Sequence, residues 1–283
     1  MQLHFVKMEG AGNDYVYMAS WENPVEPEDR PDLARMVSDR HFGIGSDGLI
    51  FINRGQKAEY EMEMYNADGS RSQMCGNGTR CVGKFLIDRG LVDKKRFTVE
   101  SFGSVKTLSE VRREGDISYL RVDMGTPVFA AAEIPVDNGM EEVLDAPITV
   151  NGKEYRCTCV SVGNPHCIVV VDDTASLDLP AIGPFFENHP WFPERINTEF
   201  VQILDESHVR MRVWERGSGE TLACGTGCTA LTAGLGRIGK IGRTAEVEVL
   251  GGKLLIEWDE KSGQLYMTGP ARTVFTGEID WQE

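Results

Sequence analysis

The sequence predicts an α+β protein made of two strand-rich sister domains, each with one principal helix. Two glycine-rich motifs that carry a cysteine, "MCGNGTRC" (74–81) and "ACGTGC" (223–228), suggest a duplication. The residues around both motifs follow the same order of strand, turn, helix and strand. When the two halves are aligned with residue 75 opposite residue 224, glycines at the ends of predicted elements align with glycines. These observations together predict two domains related by a pseudo-twofold axis.

The same elements are predicted in each half. Apolar and polar residues alternate in "YEMEMY" (60–65) and "VRMRVW" (209–214), which predicts a half-buried strand. A polar turn follows, and then a helix opens at the Cys-Gly-x-Gly element. Gly90 and Gly239 stand where a left-handed residue ends a helix. The next strands are "RFTVES" (96–101) and "AEVEVL" (245–250), each followed by a turn at Gly103 or Gly252.

The register continues without a gap over residues 60–107 and 209–256. Upstream, Gly12-Asn13 and Gly163-Asn164 correspond with a shift of two residues. The segment "LYMTGPARTVF" (265–275) resembles "RVDMGTPVF" (121–129), so we expect the C-terminus to return to the first domain. The predicted domains are residues 1–123 with 266–283, and residues 124–265. The matched pairs are Met62 and Met211, Gly76 and Gly225, Gly78 and Gly227, and Leu86 and Leu235.

Composition limits the classes of function. The chain has 283 residues, 41% of them hydrophobic, and a formal net charge of -15, which argues against nucleic acid or an anionic membrane as a partner. The N-terminus lacks the apolar stretch of a signal peptide, and no run is long enough to span a bilayer. Seven cysteines, an odd number, predict reduced thiols in a cytoplasmic protein.

Cys75 and Cys224 are predicted to begin the two principal helices. Backbone N–H groups and the helix dipole at such an end bind an anion, such as a carboxylate. The same field favours thiolate and lowers the pKa of a cysteine from its usual value of about 8.5. Glycines at 76, 78, 225 and 227 let a ligand approach the backbone closely.

A pseudo-twofold arrangement would bring the two turns face to face across a cleft, with one sulfur on each side of a carbon. This arrangement predicts inversion of a stereocentre, in which one sulfur removes a proton and the other returns one. We find no phosphate cup for pyridoxal phosphate and expect no cofactor. The spacings "CTC" and "CGTGC" do not match zinc pairs, so we expect no metal. Packing is the expected role of the other five cysteines: Cys81, Cys157, Cys159, Cys167 and Cys228.

Seven segments distributed along the chain form a specific set: "GAGNDYV" (10–16), "RHFGIGSDGLI" (40–50), "YNADGSRSQMCGNGTRC" (65–81), "GNPHC" (163–167), "FPERINTEF" (192–200), "ERGSGETLACGTG" (215–227) and "YMTGPA" (266–271). With these segments the chain resembles the diaminopimelate epimerases, which interconvert LL- and meso-diaminopimelate without a cofactor. The resemblance implies two similar domains, each a strongly curved, mostly antiparallel sheet around a central helix. It also implies a product that supplies lysine synthesis and cell-wall building.

The resemblance implies a role for each site residue. Cys75 and Cys224 would be the acid/base pair. Glu215 would face the substrate amino group and, with His166, would set the environment of the thiols. The N–H groups of Gly76, Asn77, Gly225 and Thr226 would hold the reacting carboxylate, and Asn13, Asn66, Asn164, Asn197 and Arg216 would bind the distal end. Gly48 departs from members with glutamine there, so we expect only backbone or space at that position.

Two other readings remain open. A proline or hydroxyproline epimerase could use a similar pair of sulfurs, but its ligand lacks a distal charged end for Arg216 to bind. A redox-regulated binding module could instead join Cys75 and Cys224 in a switchable disulfide. The sequence does not determine the oligomeric state, and a homodimer is one assembly that it allows.

Overall fold

The chain divides into two compact units. The computed structural model describes residues 1–72 and 75–282, so Met74 of the first motif and the preceding Gln73 lie outside the described residues. One unit is Met1–Val122 with the C-terminal segment from Gly269, and the other is Asp123–Thr268. The chain changes unit within two strands, β8 (Ile117–Gly125) and β17 (Leu265–Asp280).

Strands dominate the first unit, and two helices are found among its described residues. Most neighbouring strands pair antiparallel, but β2 and β3 are parallel, as are β4 and β6. A parallel pair needs a crossover connection, and each crossover contains a helix. The elements are β1 (Gln2–Gly10), β2 (Asn13–Ala19), α1 (Arg30–Ser38), β3 (Gly48–Arg54), β4 (Tyr60–Asn66), β5 (Arg71–Ser72), α2 (Gly76–Asp88), β6 (Phe97–Ser101) and β7 (Ser104–Glu114).

Helix α2 is the central helix of this unit. Every residue from Gly76 to Leu86 is buried, and the helix contacts β1, β2 and β7. Gly83 lies so close to the sheet that an added Cβ would meet Leu120 at 2.4 Å and Leu108 at 2.8 Å. The absence of a side chain at this position lets the strands close tightly around the helix.

The second unit repeats this pattern. Strands β11 and β12 are parallel and joined through α3, and β13 and β15 are parallel and joined through α4. Helix α4 contacts β10, β11, β12, β15 and β16, and its residues from Gly225 to Leu235 are buried. The elements are β9 (Ala146–Val150), β10 (Lys153–Ser161), β11 (Pro165–Val170), α3 (Leu179–Glu187), β12 (Asn197–Ile203), β13 (His208–Glu215), β14 (Gly219–Thr221), α4 (Gly225–Arg237), β15 (Thr244–Val249) and β16 (Gly252–Trp258), preceded by a short 3₁₀ helix (Ala131–Glu133).

The predicted repeat is therefore confirmed. The alternating strands of both halves form β4 and β13, and the glycine-rich motifs open the central helices α2 and α4. Gly90 and Gly239 close these helices with φ of +67° and +70°, in the left-handed region that favours glycine. The prediction of an α+β fold with mostly antiparallel sheets is also confirmed.

One helix in each unit was missed. Helix α1 begins within the proline-rich acidic segment "NPVEPEDRPD" (23–32), whose composition is typical of an exposed loop, and its Arg30 is buried against Glu63. The sequence of α3 contains Pro184, which indicates a break rather than a helix interior. Among the described residues, no helix is long and apolar enough to cross a membrane.

Candidate active site

Cys75 is the N-cap residue of α2. Its backbone is extended, and its Sγ accepts a hydrogen bond from the Gly78 N–H at 3.2 Å. Its S–H donates to Oδ1 of Asn13 at 3.1 Å. Because an amide oxygen accepts but cannot donate, this contact suits the thiol form of Cys75.

Asn13 is held in that orientation by Asp47. The amide nitrogen of Asn13 donates to Oδ2 of Asp47 at 2.6 Å, which leaves Oδ1 facing the sulfur. Burial and the nearby Asp14 carboxylate raise the pKa of Asp47. Arg40 contacts both carboxylates, at 2.8 Å from Asp14 and 2.9 Å from Asp47. Sequence reasoning did not single out Asp47, because its neighbours predict only a turn.

Asn77 lies in the first turn of α2, where it is buried. Its Oδ1 accepts from Nη2 of Arg80 at 2.9 Å, and Nε of Arg80 donates to the Pro270 carbonyl at 3.1 Å. Asn66 lies at the start of a local turn, and its side chain donates to Oγ of Ser70 at 3.0 Å. Among the described hydrogen bonds, Asn66 therefore acts as a turn residue.

Gly48 pairs with Asn66 across β3 and β4. An added Cβ at Gly48 would meet the Tyr65 carbonyl oxygen at 2.1 Å and the Tyr15 ring at 2.8 Å. Of the two expected alternatives, backbone or space, the structure places backbone here, together with the Tyr15 ring. A glutamine could not be accommodated at this position without moving β4.

Cys224 is the N-cap residue of α4 and is 5% exposed. Its Sγ accepts from the Gly227 N–H at 3.4 Å and lies 3.4 Å from the Thr226 hydroxyl. The cap matches that of Cys75, including the glycine three residues later. In both helices the cysteine sulfur accepts a hydrogen bond from the N–H of the third helical residue. The N–H groups of the first two helical residues come before intrahelical hydrogen bonding begins.

The pKa of Cys224 is raised overall rather than lowered, so that prediction is wrong for this residue. Burial raises the pKa of Cys224 well above its ordinary value, and the Glu215 and Glu199 carboxylates raise it further. The N–H groups of the helix act in the opposite direction but are outweighed. Burial also raises the pKa of Glu215, whose Oε1 accepts from the Thr221 hydroxyl.

His166 is fully buried on β11 between two oxygen atoms. Its Nδ1 lies 2.7 Å from Oε1 of Glu199, and its Nε2 lies 2.9 Å from Oδ1 of Asn164. The Asn164 amide nitrogen donates to the Thr226 hydroxyl at 3.3 Å. The structure thus joins His166 and Asn164 to the first turn of α4.

Asn197 and Arg216 form a separate contact at the ends of β12 and β13. Oδ1 of Asn197 accepts from the Arg216 backbone N–H at 2.9 Å, and its Nδ2 donates to the Pro165 carbonyl at 2.8 Å. The Arg216 guanidinium donates to the Glu194 carbonyl at 3.0 Å. Asn197 therefore positions the backbone that carries Arg216.

Glu199 was missed by sequence reasoning. It is fully buried on β12, and one of its oxygens would lie 2.6 Å from a Cβ added at Gly227. The available signal was an acidic residue within the otherwise apolar strand that follows Asn197. That pattern is uncommon enough to flag, because an ionised carboxylate is rarely buried without a partner.

The other five cysteines are buried, which confirms the prediction of packing. Cys157, Cys159 and Cys167 lie on paired strands, and their sulfurs are all within 4.8 Å of one another. Three thiolates can bind a soft ion. These thiols belong to an apolar cluster with Phe186 and other core residues, where neutral sulfur packs well.

Comparison with known proteins agrees with this arrangement of motifs. Residues 5–130 and 158–274 match the model of the diaminopimelate epimerase family. The chain belongs to the diaminopimelate epimerase family. It is 47% identical over 281 residues to the diaminopimelate epimerase of Acetivibrio thermocellus, covering 99% of this chain and 100% of that one. It is 48% identical to that of Methanococcus maripaludis, with 98% and 100% covered.

Solved structures with low identity share the fold of this family member. A Bacillus anthracis phenazine biosynthesis protein of the PhzF family has a TM-score of 0.70 at 17% identity, with 99% of this chain and 100% of that chain covered. A hydroxyproline epimerase from Agrobacterium vitis has a TM-score of 0.67 at 14% identity, with 98% and 91% covered. At these identities the similarity concerns the fold alone.

Proposed function

We propose that this protein epimerises LL-2,6-diaminopimelate to meso-diaminopimelate, without a cofactor, through Cys75 and Cys224. The observation that carries the proposal is the matched pair of N-cap cysteines. Each sulfur accepts from the N–H of a glycine three residues later, at 3.2 Å in α2 and 3.4 Å in α4. The family to which the chain belongs supports the choice of substrate.

The reaction uses one sulfur in each protonation state. A thiolate takes the α-hydrogen as a proton, and a thiol on the opposite face of the carbon supplies a proton. The structure suits the thiol form of both cysteines, Cys75 through its contact with Asn13 and Cys224 through its raised pKa, so one of them must lose its proton when substrate binds. In the reverse direction the two sulfurs exchange roles, so neither cysteine is dispensable.

Polar groups around the sulfurs bind the rest of the substrate. The first two N–H groups of each central helix, at Gly76, Asn77, Gly225 and Thr226, hold the reacting carboxylate. Glu215 accepts from the adjacent ammonium group. The distal amino-acid end binds to Arg216 and to the remaining asparagines: Asn13, Asn66, Asn164 and Asn197.

The proposal extends to the organisation of the protein. The functional domains are residues 1–123 with 266–283, and residues 124–265. The enzyme acts on a small molecule in the cytoplasm and binds neither nucleic acid nor membrane, in keeping with its net charge of -15. A homodimer is one assembly that fits, and light scattering of the purified protein would determine the oligomeric state.

The experiment is solvent exchange with matched variants. Wild-type protein incubated with LL-diaminopimelate in heavy water should place deuterium at one α-carbon and produce the meso isomer. Cys75→Ala and Cys224→Ala should each abolish epimerisation and keep the circular dichroism of wild type. Cys228→Ala is the matched control, because it changes a buried cysteine of the same helix that is not at the cap. Turnover near the wild-type rate by either cap variant would refute the assignment.

A further inference from the structure

A continuous row of polar atoms runs from β12 to Cys224. Glu199 contacts Nδ1 of His166 at 2.7 Å, and Nε2 of His166 contacts Oδ1 of Asn164 at 2.9 Å. The Asn164 amide nitrogen donates to Oγ1 of Thr226 at 3.3 Å, and this oxygen lies 3.4 Å from Sγ of Cys224. We refer to these five residues as the polar chain.

The proton positions in the polar chain follow from what each atom can do. A carboxylate oxygen and an amide oxygen are both acceptors, and both ring nitrogens of His166 face such an oxygen. When Glu199 is ionised, both nitrogens therefore carry hydrogen, which makes His166 an imidazolium. The orientation of Asn164 agrees, because its nitrogen is the atom that faces the Thr226 hydroxyl.

Only a buried anion can keep such a cation in this place. His166 and Glu199 are both 0% exposed, and burying an unpaired charge costs several kcal/mol. At 2.7 Å the two groups form a charge-assisted hydrogen bond. Without the Glu199 charge, His166 would lose a proton, and Nε2 would become an acceptor.

Loss of that proton would reorient the chain. A neutral Nε2 can accept only from the amide nitrogen of Asn164, so the amide would turn by half a rotation. Its oxygen would then face Thr226 and accept the hydroxyl hydrogen. That hydroxyl could no longer donate to Sγ of Cys224.

We propose that Glu199 is a positioning residue, which holds His166 as an imidazolium and thereby fixes the orientations of Asn164 and Thr226 beside Cys224. The inference about proton positions rests on the structure, and its consequence for catalysis rests on the proposed function. Glu199 itself acts through His166. Among the described residues, other ionisable groups that act on this region include Glu215, on β13, Cys224, at the start of α4, and Cys159, on β10.

The first test reads the proton positions without any substrate. Nitrogen-15 NMR of histidine-labelled protein distinguishes an imidazolium from a neutral ring, and His166→Asn identifies the signal. The wild-type ring should show two protonated nitrogens at pH 7.5, and Glu199→Gln should convert it to the neutral form. A neutral ring in wild type, or an imidazolium that survives in Glu199→Gln, would overturn the proposal.

The second test reads the consequence for turnover. Glu199→Gln should lower kcat by roughly 10²-fold to 10⁴-fold, the range for loss of a group that orients a functional histidine, with a smaller change in KM. The pH profile of kcat should also shift. Glu63→Gln is the matched control, because Glu63 is a buried, ion-paired carboxylate in the other unit.

The Glu63→Gln control separates an effect of Glu199 on the orientation of His166 from an effect on the stability of the fold. Glu63→Gln should lower the unfolding midpoint but leave both the His166 signal and the pH profile unchanged. Wild-type kcat and pH profile retained by Glu199→Gln would contradict the positioning role. If wild-type protein fails to epimerise diaminopimelate, the proposed function fails, whereas the NMR result still decides the state of His166.

Discussion

Substitution of Gly227 by alanine tests how tightly Glu199 is held against helix α4. A Cβ at residue 227 would lie 2.6 Å from Oε1 of Glu199 and 3.2 Å from its Cδ and Cγ. This oxygen is the one that contacts His166, so the carboxylate must shift by several tenths of an ångström away from its partner. Helical alanine in place of glycine normally stabilises by about 0.5–1 kcal/mol.

The structural cost exceeds that gain. Overpacking in a core costs about 1–3 kcal/mol, and weakening a hydrogen bond to a charged group costs about 1.5–3 kcal/mol. After the helical gain is subtracted, Gly227→Ala should lower the free energy of unfolding by about 1.5–5.5 kcal/mol. Urea denaturation followed by circular dichroism measures this difference.

Gly236→Ala is the matched control in the same helix. Apart from atoms of its own helix and its chain neighbours, the nearest atom to the added Cβ is the Gly242 carbonyl oxygen. The two atoms would lie 3.4 Å apart, which is an ordinary contact. The control should be neutral or stabilised by up to about 1 kcal/mol. Equal stability of Gly227→Ala and wild type, or equal losses in both variants, would refute the packing argument.

Three further predictions concern other sites. Gly48→Ala should destabilise by several kcal/mol in urea denaturation, because its Cβ meets the Tyr65 carbonyl at 2.1 Å, whereas Gly236→Ala, whose added Cβ has only ordinary contacts, should cost far less. Burial raises the pKa of Cys81 to about 12, so folded protein keeps a proton that unfolded protein loses above about pH 9. As the pH rises from about 9 to about 12, the free energy of unfolding should therefore fall by up to about 1.4 kcal/mol per pH unit because of this thiol. Cys81→Ala should reduce that slope. Glu215→Gln should lower the pKa of Cys224, because it removes a nearby negative charge, and thiol alkylation rates against pH would detect the shift; an unchanged Cys224 profile would contradict it.

The repeat could be read from the sequence because its signals are local. An alternating strand, an N-cap cysteine and a left-handed glycine at residue 90 or 239 each constrain the chain within a few residues. The order of these signals is the same in both halves. The central helices and their flanking strands were therefore predicted close to where the structure places them.

The missed features depend on contacts between residues that are distant in sequence. Helix α1 has nine residues and is stabilised by packing, including the pair of Arg30 with Glu63, rather than by its own propensity. Helix α3 tolerates Pro184 in its interior. The partnership of Glu199 with His166 requires that β11 and β12 lie side by side, which sequence spacing does not reveal.

Early-time isotope analysis in heavy water tests the two-sulfur reaction most directly. The proton that one cysteine removes is not the proton that the other returns, so the first product formed should contain deuterium at the inverted carbon. Unconverted substrate should still carry hydrogen at that carbon. Product that retains the original hydrogen, or deuterium that accumulates in substrate before product appears, would contradict a reaction shared between Cys75 and Cys224.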